Sequence, residues 1–295
     1  MTKTLTEKAY AKINLYLAVT GKRDDGYHNI DSVMQTVSLH DTVTVTIDDG
    51  DGQNISITSS HPDVPCDARN IAAKCATAFF ADRNITSYNV TIDIDKKIPV
   101  AGGLAGGSTD GAAVLRILNK LCGTGLGDDE LCRIGGTKGA DIPFCIRGGT
   151  QLCEGTGTLL TPIDISDPTY TVLIVSPGGG VSTPEAYGKI DSLPPITRKI
   201  TSSEILAQLK DGKTPRYTEN DFERVILPVN PNAALLKKTL LSLGADLSMM
   251  SGSGPTVYAL FENEKTAEKA AEKIKDMGFV PYLCKAISPS KQERT

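Results

Sequence analysis

Pro99-Val100-Ala101-Gly102-Gly103-Leu104-Ala105-Gly106-Gly107-Ser108-Thr109 joins a segment of alternating apolar residues to a segment with helical spacing. Its four glycines allow the backbone to approach a ligand closely and to adopt conformations that other residues avoid. A helix that begins at the end of such a loop directs its unpaired N–H groups, and the positive end of its dipole, at the loop. The stretch therefore predicts a site for an anion, above all for phosphate.

Two common nucleotide-binding motifs do not fit this loop. Gly102 and Gly107 have the spacing of a Walker A motif, but Ser108 stands where that motif has lysine. Leu104 and Ala105 break the glycine pattern of the dinucleotide fingerprint, which argues against an NAD-dependent oxidoreductase. The structural alternative is a flexible turn between a strand and a helix. Glycines followed by Ser-Thr favour a loop whose backbone contacts a ligand.

Nearer the N-terminus, a segment alternates strictly between apolar and other residues. One face carries Ala9, Ala11, Ile13, Leu15, Leu17 and Val19, and the other carries Tyr10, Lys12, Asn14 and Tyr16. A period of two predicts a strand with one buried face. Lys12 and Asn14 would then point the same way, with their Cα atoms roughly 6.6 Å apart.

Further along the chain, strands occur in runs with helices between them, and strict βαβ alternation is absent. This order favours an α+β fold over a doubly wound sheet. A break near Thr161-Pro162 predicts two domains, residues 1–162 and residues 163–295. Within the first domain, Asp67 is the predicted N-cap of a helix that contains Ile71 and Phe79.

The composition narrows the functional class. The chain has 295 residues and a net charge of −4, which argues against a nucleic-acid partner because such partners require a basic surface. Its seven cysteines have no CxxC spacing, and its three histidines form no metal cluster with them, which predicts reduced thiols. The sequence shows no signal peptide and no run near the ~18 apolar residues of a membrane span. We therefore expect a cytoplasmic protein without a membrane partner, either a monomer or a weak homodimer.

Three charged residues are candidates for chemistry, and each has a structural alternative. Asp141, in Gly139-Ala140-Asp141-Ile142-Pro143, has the character of a catalytic base or of a capping residue in a turn. Lys12 is either a functional cation or a solvated strand lysine. Asp110, in the first helical turn after the loop, is interpreted as a partner of the helix dipole, with a magnesium contact as the alternative.

A second group of candidates is aromatic. Tyr27-His28 follows the turn at Gly26, and Tyr187 stands in a predicted helix start. The functional interpretation is two rings that stack on a base beside a hydrogen-bonding imidazole, and the structural one is ordinary packing. A second glycine loop, residues 251–254, is either a tight turn or a second wall around phosphates.

Five motifs together resemble the GHMP kinase superfamily. In chain order they are Ala11-Lys12-Ile13-Asn14-Leu15, Gly26-Tyr27-His28, the loop from Pro99 to Thr109, Gly139-Ala140-Asp141-Ile142-Pro143, and Met250-Ser251-Gly252-Ser253-Gly254-Pro255-Thr256. The similarity covers nearly the whole chain. Two places depart from the pattern: Ala105, where many members have glycine, and residues 194–218, which resemble little in the family.

The resemblance implies a two-domain α+β fold, with an N-terminal domain like the second domain of ribosomal protein S5 and a ferredoxin-like C-terminal domain. The active site would lie between them. The strand with Lys12 and Asn14, together with Tyr27-His28, resembles members that transfer the γ-phosphoryl of ATP, with Mg²⁺, to the 2-hydroxyl of 4-diphosphocytidyl-2-C-methyl-D-erythritol. Such a kinase acts in the non-mevalonate pathway to isoprenoid precursors.

The resemblance also implies residue roles. The backbone of the loop would hold the ATP phosphates through Val100, Ala101, Gly102, Gly103, Leu104, Ala105, Gly106, Gly107, Ser108 and Thr109, with Pro99 donating no N–H. Asp141 would accept the proton of the substrate hydroxyl, and Lys12 would offset charge near the transferring group. Asn14 would orient the acceptor. Tyr27, His28 and Tyr187 would recognise cytosine, and no residues are assigned to the metal.

The sequence leaves three alternatives to this function. A GHMP kinase for mevalonate or homoserine is the nearest, and Tyr27-His28 argues against it. An NAD-dependent oxidoreductase lacks its fingerprint in the loop. A non-catalytic module that binds nucleotides or RNA on the same fold is disfavoured by the presence of both Lys12 and Asp141, and by the acidic pI near 5.5.

Overall fold

The computed structural model describes residues 2–48, 52–165, 168, 170–179, 182–194, 196–210 and 213–292. The first half of the chain forms one sheet with its helices. Its strands are β1 (Lys3–Lys22), β2 (His28–Asp48), β3 (Gln53–Ser59), β4 (Tyr88–Asp95), β5 (Thr150–Gly155) and β6 (Leu159–Pro162). Its helices are α1 (Ile71–Asp82), α2 (Gly106–Leu121), α3 (Asp128–Gly136) and α4 (Ile142–Arg147).

The long strand β2 organises this first sheet. It pairs with β1 along one edge, and on its other edge it pairs with β5 through residues 30–35 and with β4 through residues 42–48. These pairings are antiparallel, whereas β3 runs parallel to β4 at the end of the sheet. Helix α2 packs on β1 and against α1 and α4, which places the start of α2 beside the strand that carries Lys12.

The second half of the chain forms a four-stranded antiparallel sheet in the order β10-β7-β9-β8. Its elements are β7 (Thr171–Val175), α5 (Thr183–Asp191), α6 (Ser202–Lys210), α7 (Glu223–Ile226), α8 (Pro231–Ser242), β8 (Leu247–Met250), β9 (Val257–Phe261), α9 (Glu264–Asp276) and β10 (Pro281–Lys285). Helices α8 and α9 cover one face of the sheet. The expected α+β class, with a ferredoxin-like second half, is confirmed. The boundary at residue 162 stays a prediction.

A hydrophobic core lies between the two halves. Ile13 and Leu15 of β1 pack in it with Val172 of β7 and Tyr258 of β9. The prediction that β1 has a single buried face is therefore wrong over residues 11–18, all of which are buried. The second half covers Ile13 and Leu15, whereas Lys12 and Asn14 on the other face are buried under the two glycine loops.

Two local predictions have different outcomes. The helix predicted after the glycine loop is present as α2, with Val114, Leu115 and Leu118 buried and Leu121 partly buried. The predicted cap of α1 is wrong: Asn70 accepts the N–H of Ala72 at 2.8 Å and is the N-cap, whereas Asp67 accepts from Arg69 in the preceding turn. Of the helices in the described ranges, none is both long and apolar enough to cross a membrane.

Candidate active site

The start of α2 presents backbone N–H groups that have no partner within the helix. Thr109 donates its N–H to the carbonyl of Ala105 at 2.9 Å, which begins the helical hydrogen bonds and leaves the N–H groups of Gly106, Gly107 and Ser108 without helical partners. Ala105 is the N-cap, and its methyl side chain offers no acceptor. Unpaired N–H groups at the positive end of a helix attract an anion such as phosphate.

The two glycine loops pack directly against each other. A Cβ atom on Gly103 would lie 2.1 Å from the carbonyl oxygen of Ser251, and Gly103 has a φ of +77°, so only glycine suits this position. The carbonyl of Gly103 accepts the Ser251 hydroxyl at 3.0 Å and the Lys12 ammonium at 3.1 Å. Residues 251–254 are therefore both a tight turn and a wall of the same site.

A cavity of about 540 Å³ opens along these loops. Residues 99–108 line it on one side, and Gly252, Ser253 and the start of α5 at Thr183 line it on another. Thr109 lies outside this lining, and its N–H is already bonded to Ala105, although sequence reasoning placed it among the phosphate contacts. The volume falls in the range of ordinary ligand sites, which is about 300–1,000 Å³.

Lys12 and Asp141 lie next to each other in the lining of the cavity. The Lys12 Nζ lies 3.8 Å from Asp141 Oδ2, with the lysine buried and the aspartate one-third exposed. Asp141 stands at the N-cap position of α4, but no cap hydrogen bond from its side chain is present in the described chain. Its carboxylate therefore faces the cavity with the ammonium beside it, an arrangement that suits proton transfer from a bound hydroxyl.

Asn14 positions the Lys12 ammonium through a hydrogen bond. Its Oδ1 accepts from Lys12 Nζ at 2.8 Å and from the N–H of Gly252 at 2.9 Å, and its Nδ2 donates to the Ser32 hydroxyl at 2.9 Å. The side chain is buried and touches the lining of the cavity. These bonds connect the lysine of β1 to the second glycine loop.

Of the three residues predicted to bind cytosine, His28 and Tyr187 contact each other, and Tyr27 lies apart from them. The ring of Tyr187 stacks on that of His28, with centroids 4.5 Å apart and planes 17° apart, and Tyr187 lines the cavity. Tyr27 is 67% exposed, and the described lining includes neither Tyr27 nor His28. Burial, with a smaller contribution from the charge of Asp141, raises the pKa of Tyr187 to about 12.

Two residues that sequence reasoning missed fix the position of His28 and of the second glycine loop. Asp191 of α5 accepts from His28 Nε2 and from Lys22 Nζ, each at 2.6 Å, and hydrogen bonds from Lys22 and His28 lower its pKa. Asn220 donates to the carbonyls of Met250 and Gly252 and so fixes the second glycine loop. Neither lies in a recognisable motif, because their partners are distant in sequence.

Family models match both halves of the chain. The model described as the N-terminal domain of GHMP kinases matches residues 70–149, and the C-terminal model matches residues 212–279. Among solved structures, a 4-(cytidine 5'-diphospho)-2C-methyl-D-erythritol kinase is 27% identical, with a TM-score of 0.78 over 95% of this chain and 98% of that one. The mevalonate kinase of L. major, at 16% identity and a TM-score of 0.72, shares the fold.

Sequence relatives extend the match. The 4-diphosphocytidyl-2-C-methyl-D-erythritol kinase of Clostridium tetani is 41% identical over 283 residues, which cover 95% of this chain and 99% of the relative. The enzyme of the same name from Caldicellulosiruptor saccharolyticus is 40% identical over 271 residues, 91% of this chain and 92% of the relative. Because these identities run through nearly the full length of each chain, the protein belongs to the GHMP kinase family.

Proposed function

We propose that this protein transfers the γ-phosphoryl group of ATP to the 2-hydroxyl of 4-diphosphocytidyl-2-C-methyl-D-erythritol. The observation that carries the proposal is the Lys12–Asp141 pair, which lies in one cavity with the uncapped start of α2. The choice of substrate is supported by relatives that match along nearly their full length and carry the name of this kinase. The mevalonate kinase neighbour shares the fold at low identity and favours no other acceptor.

Two side chains perform the chemistry in this proposal. Asp141 accepts the proton of the attacking hydroxyl, because its carboxylate faces the cavity without a cap bond in the described chain. Lys12 stands 3.8 Å away and offsets the negative charge that gathers at the transferring phosphoryl group. Phosphoryl transfer depends mainly on positioning and electrostatics, so a small set of groups is sufficient.

ATP binds by its phosphates at residues 100–108. The N–H groups of Gly106, Gly107 and Ser108 face the phosphates, and the helix dipole adds its positive end. The Ser108 hydroxyl lies near Gly139, 3.7 Å from where a Cβ of that residue would stand, and is a hard oxygen donor of the kind that Mg²⁺ prefers. The described residues contain no cluster of three acidic, cysteine or histidine ligands. Mg²⁺ keeps several waters and needs few protein ligands at phosphate sites, so Ser108 would hold it together with the phosphates and water. When bound, the ion neutralises phosphate charge.

The cytidine end of the acceptor lies against α5. Tyr187 offers the cavity one face of its ring, since His28 covers the other. A base on that face gains about 1–3 kcal/mol from stacking. His28 supports the ring that the base contacts, and the exposed Tyr27 reaches the base only if the turn of residues 23–27 closes on it.

A coupled assay of ADP release tests this proposal. The protein is given ATP with the cytidine diphosphate substrate, mevalonate or homoserine in turn, and Asp141→Asn serves as the matched inactive control. We expect turnover with the first acceptor, and kcat/KM at least 10²-fold lower with the others because they leave the aromatic site empty. Preferred turnover of mevalonate or homoserine would assign the protein to another member of the family.

A further inference from the structure

Helix α5 lines the cavity through Thr183 and Tyr187, yet little of the helix is packed into the protein. Of its nine residues, all within the described part of the chain, Ala186 alone is fully buried. The segment before the helix adds little support, because a Cβ on Gly178 would meet no atom of the described chain within 4 Å. The position of α5 therefore depends on a few side-chain contacts.

These contacts come from one face of the helix. Thr183, Tyr187 and Asp191 are spaced four residues apart, so their side chains lie one above another. The Thr183 hydroxyl lies 3.1 Å from that of Ser253 in the second glycine loop. One turn further along, the ring of Tyr187 stacks on His28. Asp191 makes the contact at the last turn of the helix.

Asp191 joins this face to the hairpin of β1 and β2. Its Oδ1 accepts from His28 Nε2 and its Oδ2 from Lys22 Nζ, both at 2.6 Å. Lys22 ends β1, His28 begins β2, and the two residues pair in register, so one carboxylate contacts both strands. Because the His28 side chain is only 7% exposed, this contact differs from a surface ion pair, which contributes little to stability.

The location of Asp191 is unfavourable for the helix itself. It is the last residue of α5, where the helix dipole favours a cation over a carboxylate. Lys22 and His28 offset its charge from outside the helix, and their hydrogen bonds lower the pKa of Asp191. A residue that departs from a local preference in this way indicates a function for the contact that it makes.

We propose that Asp191 is a positioning residue for the acceptor, which fastens α5 to the hairpin of β1 and β2 so that Tyr187 presents a fixed ring to the base. This inference rests on the proposed function, because it takes the cytidine end of the acceptor to bind against Tyr187. Without Asp191, α5 loses the contact at its last turn, and His28 loses the bond that orients its ring on Tyr187. Only molecules with α5 in place then bind the acceptor, so its affinity falls with their fraction.

Steady-state kinetics with the cytidine substrate test the inference. Asp191→Ala should raise KM for this acceptor about tenfold, as expected if α5 is in place in roughly a tenth of the molecules, while kcat and KM for ATP change less than about twofold. Asp191→Asn keeps an acceptor for His28 Nε2 but loses the charge that pairs with Lys22, so KM should rise about two- to fivefold. Lys22→Met should match Asp191→Asn, and the double variant should add nothing further, because both changes break one contact.

Calorimetry with cytidine diphosphate separates binding from turnover, because this probe carries the base but lacks the hydroxyl that is phosphorylated. Its Kd should rise about tenfold in Asp191→Ala, together with KM for the acceptor. Hydrogen exchange of the α5 amides should become about tenfold faster in this variant, whereas the amides of α2 should keep their rates.

Glu185→Gln is the matched control, because Glu185 is an exposed carboxylate of the same helix that pairs with Lys189 on the surface. It should behave like the wild-type protein. An unchanged KM for the acceptor in Asp191→Ala would overturn the inference and leave the proposed function intact. A joint loss of kcat, ATP affinity and thermal stability would also overturn it, since a merely structural residue gives that result. Failure of the wild-type protein to phosphorylate the cytidine substrate would overturn both.

Discussion

Lys12 has three partners in the active site, and their geometry separates its chemical role from a structural one. Its ammonium donates to Asn14 and to the Gly103 carbonyl and lies 3.8 Å from Asp141. Because it touches the loop and the predicted base at once, its loss should impair the chemical step more than the binding of ATP. Asp141 has fewer contacts and should show this separation more clearly.

We expect Asp141→Asn and Lys12→Met each to lower kcat by about 10²–10⁴, the range for loss of a proton acceptor or of its supporting charge. The Kd for ATP, measured by calorimetry, should change little in Asp141→Asn. Asp129→Asn is a suitable control, since Asp129 is an exposed carboxylate that pairs with Arg147. Turnover near the wild-type rate in both variants would contradict the assigned roles.

Tyr187 supports a second prediction, which concerns binding of the cytidine substrate. Tyr187 lines the cavity and packs on His28 and Phe222, whereas Tyr27 is exposed. Tyr187→Ala should raise KM for the cytidine substrate about 5- to 150-fold, from a stacking contribution of roughly 1–3 kcal/mol, with KM for ATP nearly constant. Tyr187→Phe is the conservative control and should retain most of the affinity. A rise in KM for ATP instead would place adenine on this ring.

Among the elements, the glycine loop of residues 99–109 makes close contact with the second glycine loop, residues 251–254. Gly103→Ala would push a methyl group to within 2.1 Å of the Ser251 carbonyl and strain a backbone with φ of +77°. We expect the two loops to separate, with ATP affinity lowered at least tenfold and the protein destabilised by about 1–3 kcal/mol. Calorimetry with ATP and urea unfolding measure the two effects.

Gly123→Ala is the matched control for this loop. Gly123 also has a positive φ, of +63°, but a Cβ there would meet no atom within 4 Å. It should therefore lose stability from backbone strain and keep its affinity for ATP. Equal ATP affinities in Gly103→Ala and wild-type protein would show that the contact between the two loops is not needed for binding.

The sequence predicted the parts of the site that lie within single segments. The glycine loop and α2 follow from local composition and spacing, and Lys12 and Asn14 follow from a period of two. Asp and Asn are both good N-caps, so the sequence alone does not distinguish Asp67 from Asn70. Which of the two caps α1 depends on how the turn before the helix folds. Such boundary errors are local and do not affect the site.

What the sequence did not predict depends on contacts between distant segments. Asp41, Lys96 and Asp110 come from three elements and form one cluster only after the first sheet and α2 have packed. Asp191 meets His28 across 163 positions of the chain. A charged residue looks alike in sequence whether it ends up solvated or buried, so tertiary packing decides which of them become partners.

The burial of β1 on both faces bears on how the whole molecule assembles. Ile13 and Leu15 pack against Val172 and Tyr258 of the other half, and the Tyr258 hydroxyl donates to the carbonyl of Asn14 at 2.8 Å. Fragments 1–162 and 163–295, expressed separately, should each expose this core and lack a cooperative thermal transition. Mixing them should restore one transition and ATP-dependent activity, as in split-reporter complementation. The active-site strand is then completed only by docking of the second fragment, so phosphoryl transfer would itself report that the two pieces have come together.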